Sequence, residues 1–153
     1  MNNKIIAKNS DIKIKYQELG LLNRLVLITA YKSYYSLIYK LIQIFLHVSI
    51  PSKSYTKKLR MPHPFAIQLN KNTELGNNIT IYQNCTVGSA QFGNKIGTPI
   101  IGDNVIIYPN SVIIGKIRIG DNAIIAAGSV VIKDVEKNTV VAGNPAKIIG
   151  IIS

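Results

Sequence analysis

Residues 101–131 read IGDNVIIYPNSVIIGKIRIGDNAIIAAGSVV, and an aliphatic residue returns at every sixth position of this stretch. The series consists of Ile101, Ile107, Ile113, Ile119, Ile125 and Val131. A small or β-branched residue follows four positions after each of them, at Val105, Ser111, Ile117, Ala123, Ser129 and Val135. A period of six differs from the 3.6 of a helix and from the two of a strand, and it is the period of hexapeptide β-helix repeats.

The physical interpretation of this period is a coiled chain of triangular cross-section. Each hexapeptide forms one flat face, three make one turn, and the aliphatic and small residues both point inward. Residues that tolerate turn geometry recur where the corners should lie, at Gly76, Asn77, Asn78, Gly88, Gly102, Asn104, Asn110, Gly120 and Asn122. The abundance of Val, Ile, Thr and Gly also disfavours helix. The sequence therefore predicts a mainly β fold, a parallel β-helix.

The same period runs earlier in the chain through Leu69, Leu75, Ile81 and Val87 and is then interrupted. The gap from Val87 to Ile101 is longer than two hexapeptides by two positions. Residues 89–98 in its middle are polar and contain glycine, which predicts a loop that projects from one corner. Loops on rigid scaffolds often carry binding function.

Charge divides the chain into two regions. The 153 residues are 47% apolar and 16% charged, a composition that argues against disorder and fits one domain. The net charge of +11 favours an anionic partner. Residues 1–60 hold 11 basic and 2 acidic side chains, whereas residues 61–153 hold 7 and 5. We therefore expect a basic N-terminal segment, residues 1–60, followed by the repeat domain, residues 61–153.

Residues 17–47 are predicted to be largely helical, because apolar residues recur at spacings of three and four. Such a stripe packs against the main domain or another subunit, or it forms a basic surface that contacts an anionic membrane or glycan. The longest uncharged run there, residues 41–52, is too short for a span of about 20 residues. The first residues also lack the apolar core of a signal peptide. The predicted location is the cytoplasm, and peripheral contact at the inner membrane face is left open as an alternative.

Two stretches resemble the left-handed β-helix acyltransferases, and within them the serine acetyltransferase-like group. The first runs from His63-Pro-Phe-Ala-Ile67 to Ile81-Tyr-Gln-Asn-Cys-Thr-Val-Gly88, and the second from Ala126 to Gly143-Asn-Pro-Ala-Lys-Ile-Ile-Gly150. In this family a base histidine stands at a set spacing before the glycine that closes the first repeat block, and His63 has that spacing to Gly88. The ending resembles the family's Gly-x-Pro-Ala-Lys/Arg closure.

The resemblance implies transfer of an acetyl group from acetyl-CoA to a hydroxyl, without a metal, in a homotrimer with coenzyme A between adjacent prisms. A hydroxyl needs a base to take its proton, which is the role implied for His63. Contacts to the coenzyme are expected from Ala127, Lys133 and Lys147. A metalloenzyme of the same fold needs three histidines for catalytic zinc, and this chain has two. No basic-aromatic or helix-turn-helix pattern points to nucleic acid.

Departures from serine acetyltransferases bear on the acceptor. The family's Asp before the base is Pro62 here, and its Arg-His pair in the projecting loop falls at Gly97 and Thr98. The carboxylate that orients the base falls at Val48. A charged amino acid would lose its partners at such a site, which is costly. The pattern is closest to short bacterial polysaccharide O-acetyltransferases, so a sugar hydroxyl is the expected acceptor. Serine O-acetylation in cysteine biosynthesis and a non-catalytic β-helix scaffold remain the alternatives.

The single cysteine, Cys85, excludes an internal disulfide and a multi-thiolate zinc site within one chain. It occupies one of the small inward positions of the repeat. We therefore expect a buried structural thiol, not a nucleophile.

Overall fold

The computed structural model describes residues 37–50 and 59–153, which form one α-helix and three sheets. The helix α1 spans Leu37–Leu46. The first face holds β1 (Leu59–Arg60), β4 (Ile79–Ile81), β7 (Ile106–Ile107), β10 (Ile124–Ile125), β12 (Thr139–Ala142) and β13 (Lys147–Ile151). The second face holds β2 (Gln68–Leu69), β5 (Thr86–Gly88), β8 (Val112–Ile114) and β11 (Val130–Val131). The third face holds β3 (Glu74–Leu75), β6 (Ile100–Ile101) and β9 (Arg118–Ile119).

The chain visits the three faces in turn, and each strand pairs in parallel with the strand one coil later. Ile106 pairs with Ile124, Val112 with Val130 and Ile100 with Arg118, a separation of one 18-residue coil on every face. Only β13 runs antiparallel, against β12, among the strands of the described residues. This architecture confirms the predicted mainly β, parallel β-helix with a short helical segment before it.

The interior is filled by the two inward series that the sequence predicts. The aliphatic residues of the repeat are buried with one exception, and so are the small residues, including Thr73, Ile79 and Cys85. The exception is Leu75, which is only partly buried because β3 is the terminal strand of the third face. Leu69 is also on a terminal strand, but its face is extended by a bridge between Ser49 and Gln68. Burial of these side chains is the main favourable term for this fold.

Strand pairing shows how the interval from Val87 to Ile101 divides into repeat and insertion. Leu75 pairs with Ile101 across 26 residues, whereas Ile101 pairs with Ile119 across 18. The interval is therefore one hexapeptide step plus eight inserted residues, since coil pairing and not sequence spacing defines the register. The predicted projecting loop, residues 89–98, is present at the corner between the second and third faces, where Ala90 bridges Gly97.

The helix α1 lies within the segment predicted to be helical, and residues 17–36 of that segment fall outside the described residues. Val48, Ile50 and Leu59 pack into the same core as the repeats although they precede residue 61. The division at residue 60 stays a prediction. Within the described ranges, no helix is both long and apolar enough to cross a membrane.

The corner between the third and first faces carries an asparagine ladder, which we call the asparagine corner (Asn78, Asn104, Asn122 and Asn138). Each side-chain amide nitrogen donates to the Oδ1 of the next residue, at 3.2, 3.1 and 2.7 Å in turn. All four residues have positive φ near 57–59°, a conformation that asparagine tolerates better than most residues. The predicted corner role is confirmed for Asn78, Asn104 and Asn122, and also for Asn110.

Candidate active site

A row of aromatic side chains lies along the corner between the first and second faces, which we call the aromatic corner (His63, Tyr82 and Tyr108). His63 belongs to the segment between β1 and β2, Tyr82 follows β4, and Tyr108 follows β7. The Tyr82 and Tyr108 rings are stacked, with centroids 5.2 Å apart and planes 6° apart. The His63 ring lies at the end of this row, 6.3 Å from the Tyr82 centroid and tilted by 45°.

The two tyrosines stack because they occupy the same repeat position in consecutive coils. The Tyr82 N–H donates to Ile107 O at 3.0 Å, and the Tyr108 N–H donates to Ile125 O at 2.9 Å. Paired strands lie about 4.8 Å apart, which is close to the optimal spacing of stacked rings. The backbone hydrogen bonds of the β-helix thereby hold both tyrosines in position.

The imidazole of His63 is exposed although its neighbours in sequence are anchored. Met61 and Pro64 are buried, and His63 O accepts the N–H of Phe65 at 2.8 Å. Among residues 37–50 and 59–153, no side chain makes a hydrogen bond with the imidazole. The histidine is thus held by its backbone and by ring contact, and its nitrogens are available to a substrate.

No carboxylate stands behind His63 at the position that the family resemblance suggests. That position is Val48, whose side chain is only 3% exposed and belongs to the core. Ser49 next to it is fixed by its backbone, with its N–H donating to Ile67 O at 2.8 Å. His47, the second histidine of the chain, packs edge-on against Phe65 at 6.2 Å.

The three residues expected to contact the coenzyme lie at two different corners. Ala127 is exposed at the aromatic corner, three coils beyond His63, or roughly 14 Å along the axis at the spacing of paired strands. Lys147 opens β13 opposite Ala142, at the same edge. Lys133 follows β11 and lies at the other edge of the second face, beside the corner that carries the loop. Their role in binding coenzyme A stays a prediction.

Cys85 lies directly beneath the aromatic corner, as a fully buried free thiol. Its Sγ donates to Tyr108 O at 3.1 Å. Desolvation by burial raises the pKa of the thiol, against the smaller opposing effect of hydrogen bonds from the Ser111 and Asn110 backbone. The thiolate is therefore disfavoured, and the prediction that Cys85 is buried is confirmed.

The sequence alone assigned no function to Tyr82 or Tyr108. The signal that identifies them is the recurrence of Ile-Tyr-x-Asn at residues 81–84 and 107–110, at one and the same position of the repeat. Since side chains at equivalent positions of successive coils stack on each other, this recurrence predicts an aromatic pair. In the next coil the position is Ala126, so the row ends there.

Comparison with known proteins agrees with this architecture. Residues 98–133 match the family described as bacterial transferase hexapeptide (six repeats). Over these residues the chain is similar to the hexapeptide-repeat transferases. It is 42% identical over 92 residues to the mitochondrial serine acetyltransferase 3 of Arabidopsis thaliana, covering 59% of its own length and 23% of that relative. The resemblance to the serine acetyltransferase-like group is thereby confirmed.

Two solved structures extend this likeness to three dimensions. The serine acetyltransferase of Neisseria gonorrhoeae in complex with serine has a TM-score of 0.54 and 43% identity, over 59% of this chain and 36% of that one. A serine acetyltransferase in complex with CoA has a TM-score of 0.60 and 26% identity, over 72% of this chain and 45% of that one. The match spans less than half the length of each of these relatives.

Proposed function

We propose that this protein is an acetyl-CoA-dependent O-acetyltransferase in which His63 is the general base. The observation that carries the proposal is the exposed imidazole at the end of the aromatic corner, in a chain similar to serine acetyltransferases. A neutral imidazole accepts a proton near neutral pH, which suits the activation of a hydroxyl.

The proposed reaction balances with no further reactant. The His63 imidazole takes the proton of the acceptor hydroxyl while its oxygen attacks the thioester carbonyl carbon. The new C–O bond forms, the C–S bond breaks, and the thiolate of coenzyme A leaves and regains the proton from His63. The oxyanion that forms between these steps needs hydrogen-bond donors such as backbone N–H groups.

Serine is the acceptor that the comparisons favour over the sugar hydroxyl expected from the sequence. The similar proteins are serine acetyltransferases, and one similar structure contains serine. The sugar remains a second candidate on one specific observation, the uncharged Pro62, Gly97 and Thr98 at positions where the family resemblance implies charged contacts to the amino acid.

A panel of acceptors tests this proposal. Purified protein is incubated with acetyl-CoA and L-serine, L-alanine, neutral sugars or nucleotide sugars, and released thiol is measured together with the mass of the product. We expect acetyl transfer to serine, with L-alanine inactive because it lacks the hydroxyl. Transfer to a sugar alone would instead establish the second candidate. If no acceptor is acetylated, both the serine and the sugar proposals are contradicted and a non-catalytic β-helix scaffold is favoured.

We also propose a homotrimer. Large apolar side chains near the C-terminal end of the coils remain exposed in the single chain and would be covered by a neighbouring copy: Ile132, Ile148, Ile149 and Ile151. Sedimentation equilibrium should give three times the chain mass of 16.8 kDa. A monomer at micromolar concentration would contradict this arrangement.

Peripheral contact of the N-terminal segment with an anionic membrane or glycan is a further proposal, together with a cytoplasmic location. On α1 the side chains of Ile44 and Phe45 are 65% and 73% exposed, in the region that holds most of the positive charge. Vesicles that contain phosphatidylglycerol should bind the protein, and Phe45→Ser should weaken binding. The matched control Phe92→Ser removes a ring that is even more exposed, at 88%, from the loop and should leave binding unchanged.

A further inference from the structure

We propose that Tyr82 is a positioning residue for His63, with Tyr108 supporting the Tyr82 ring from behind. The inference rests on the proposed role of His63 as base. It assigns to a stacked pair of tyrosines the orienting function for which the chain offers no carboxylate at Val48.

The geometry of the His63–Tyr82 pair is that of a specific aromatic contact. The ring centroids are 6.3 Å apart and the planes are tilted by 45°. Aromatic rings in proteins prefer offset or tilted arrangements with centroids about 4.5–7 Å apart. The Tyr82 ring therefore removes part of the space into which the imidazole could rotate and favours one orientation of its nitrogens.

Tyr82 can act in this way because its own position is fixed twice. Its backbone belongs to the parallel ladder of the first face, through the hydrogen bond to Ile107 O. Its ring is stacked on Tyr108, whose backbone is fixed one coil further by Ile125 O. The preceding residue, Ile81, is fully buried. The hydrogen-bonded coils thus fix the two tyrosine rings, and the Tyr82 ring limits the orientation of His63, which belongs to no strand.

The alternative partners on the described part of the chain lie elsewhere. Val48 is in the core, and Ser49 is paired with the second face. The carboxylates of Asp103 and Asp121 lie at the asparagine corner, where they accept hydrogen bonds from the backbone N–H groups of Asn77 and Asp103. No acidic side chain of residues 37–50 or 59–153 makes a hydrogen bond or an ion pair with the imidazole.

Positioning matters for rate because a catalytic base has to meet the hydroxyl within hydrogen-bond distance. A displacement of about 1 Å can lower a rate by about 100-fold. An interaction that only orients the base should change kcat and leave KM nearly unchanged. Measuring kcat and KM together therefore distinguishes an effect on the orientation of the base from an effect on substrate binding.

The test compares Tyr82→Leu, Tyr82→Phe and Tyr108→Leu by kcat and KM for acetyl-CoA and the acceptor. We expect kcat to fall about 10-fold in Tyr82→Leu with KM within about twofold, since the aromatic contact and the alignment of the base are both lost. Tyr82→Phe keeps the ring and should stay within about twofold of the parent. Tyr108→Leu removes an equal ring that does not touch His63, and its loss in kcat should be smaller.

A second readout follows the contact without using activity. The imidazole proton signals of His63 and His47 are assigned by NMR in each variant, and melting temperatures verify folding. Loss of the Tyr82 ring current should shift the His63 signals in Tyr82→Leu and leave those of His47 in place, while Tyr82→Phe retains the parent shifts. If Tyr82→Leu does not fold, Tyr108→Leu decides, because Tyr82 without its support should move and shift the His63 signals.

Three results would overturn the inference. The first is an unchanged kcat in a folded Tyr82→Leu variant. The second is unchanged His63 signals in Tyr82→Leu or, if that variant does not fold, in Tyr108→Leu. The third is a Tyr82→Phe variant as impaired as Tyr82→Leu, which would assign the effect to the hydroxyl. A parent protein without transferase activity would contradict the proposed function instead, and the NMR comparison would then test the contact between Tyr82 and the imidazole on its own.

Discussion

The asparagine corner and the aromatic corner belong to the same coils and have different roles. At the asparagine corner each polar group is used by the next coil, through the amide ladder and through Asp103 and Asp121, which accept backbone N–H groups at 2.6 and 2.8 Å. At the aromatic corner the ladder is short, from Asn84 to Asn110, and it ends where Gly128 takes the positive φ in the next coil. There the exposed His63 has no hydrogen bond to a described side chain.

The difference distinguishes two kinds of polar side chain in a repeat protein, those that stabilise the coils and those that are available for chemistry. A polar side chain that recurs in every coil and bonds to its own copies stabilises the stack and has little capacity left for a ligand. A polar side chain that interrupts the recurrence, and that the fold leaves exposed and unbonded, is available for chemistry. Variants on the two corners should therefore affect different quantities, activity at one and stability at the other.

The largest effect is expected from His63→Ala at the aromatic corner. Loss of a general base lowers the rate by about 10²–10⁴-fold. The melting temperature should stay close to that of the parent, because the imidazole is exposed. The turnover assay with acetyl-CoA measures the first quantity and circular dichroism the second.

His47→Ala is the matched histidine control for this substitution. It removes the edge-on contact to Phe65, which stabilises the fold by about 0.5–1.5 kcal/mol, and it should leave turnover within about twofold of the parent because His47 is not part of the aromatic corner. Equal activity of His63→Ala and the parent would remove His63 as the base.

The next effect is expected from Gly120→Ala beside the asparagine corner. A Cβ at Gly120 would lie against the backbone N of Lys137 and 2.8 Å from its Cα, so the following coil must shift. Overpacking of this kind costs about 1–3 kcal/mol. Gly88→Ala is the control, because the nearest atoms to its Cβ are 3.8 Å away. Denaturant unfolding should show a loss for Gly120→Ala only, and equal stability of both variants would contradict the tight stacking at this corner.

A smaller effect is expected from Asn122, in the middle of the ladder. Asn122→Ala removes the bonds to Asn104 and Asn138 and places alanine at φ 59°, which together should cost about 2 kcal/mol. Asn122→Gly loses the same bonds but tolerates the positive φ, so it should be the more stable of the two. The reverse order in urea melts would mean that backbone conformation does not limit this corner.

The sequence predicted the coils well and the site only in part, for a physical reason. The inward residues, the corner asparagines and Cys85 follow from a strict period, because one coil repeats the environment of the previous one. The division of the gap into one hexapeptide step and eight inserted residues did not follow from the period, since it depends on which strands pair. The tyrosine row was missed because that insertion separates its two members, Tyr82 and Tyr108, in the sequence. His63 was found by its resemblance to a motif and not by periodicity.

The smallest effect is expected beneath the aromatic corner, at Cys85, and it concerns pH. Burial raises the pKa of this thiol above its ordinary value, so above that ordinary value the unfolded chain releases the proton while the folded chain keeps it. The stability contributed by the neutral thiol is complete below the pKa of the unfolded chain and is lost as the pH rises toward the folded pKa, with a slope of at most about 1.4 kcal/mol per pH unit. The equivalent positions in the next two coils are Ser111 and Ser129, whose hydroxyls donate to Tyr108 O and Ala126 O. Cys85→Ser should therefore fold normally near neutral pH and lose this alkaline slope in urea unfolding, and an identical slope in both proteins would show that other groups cause it.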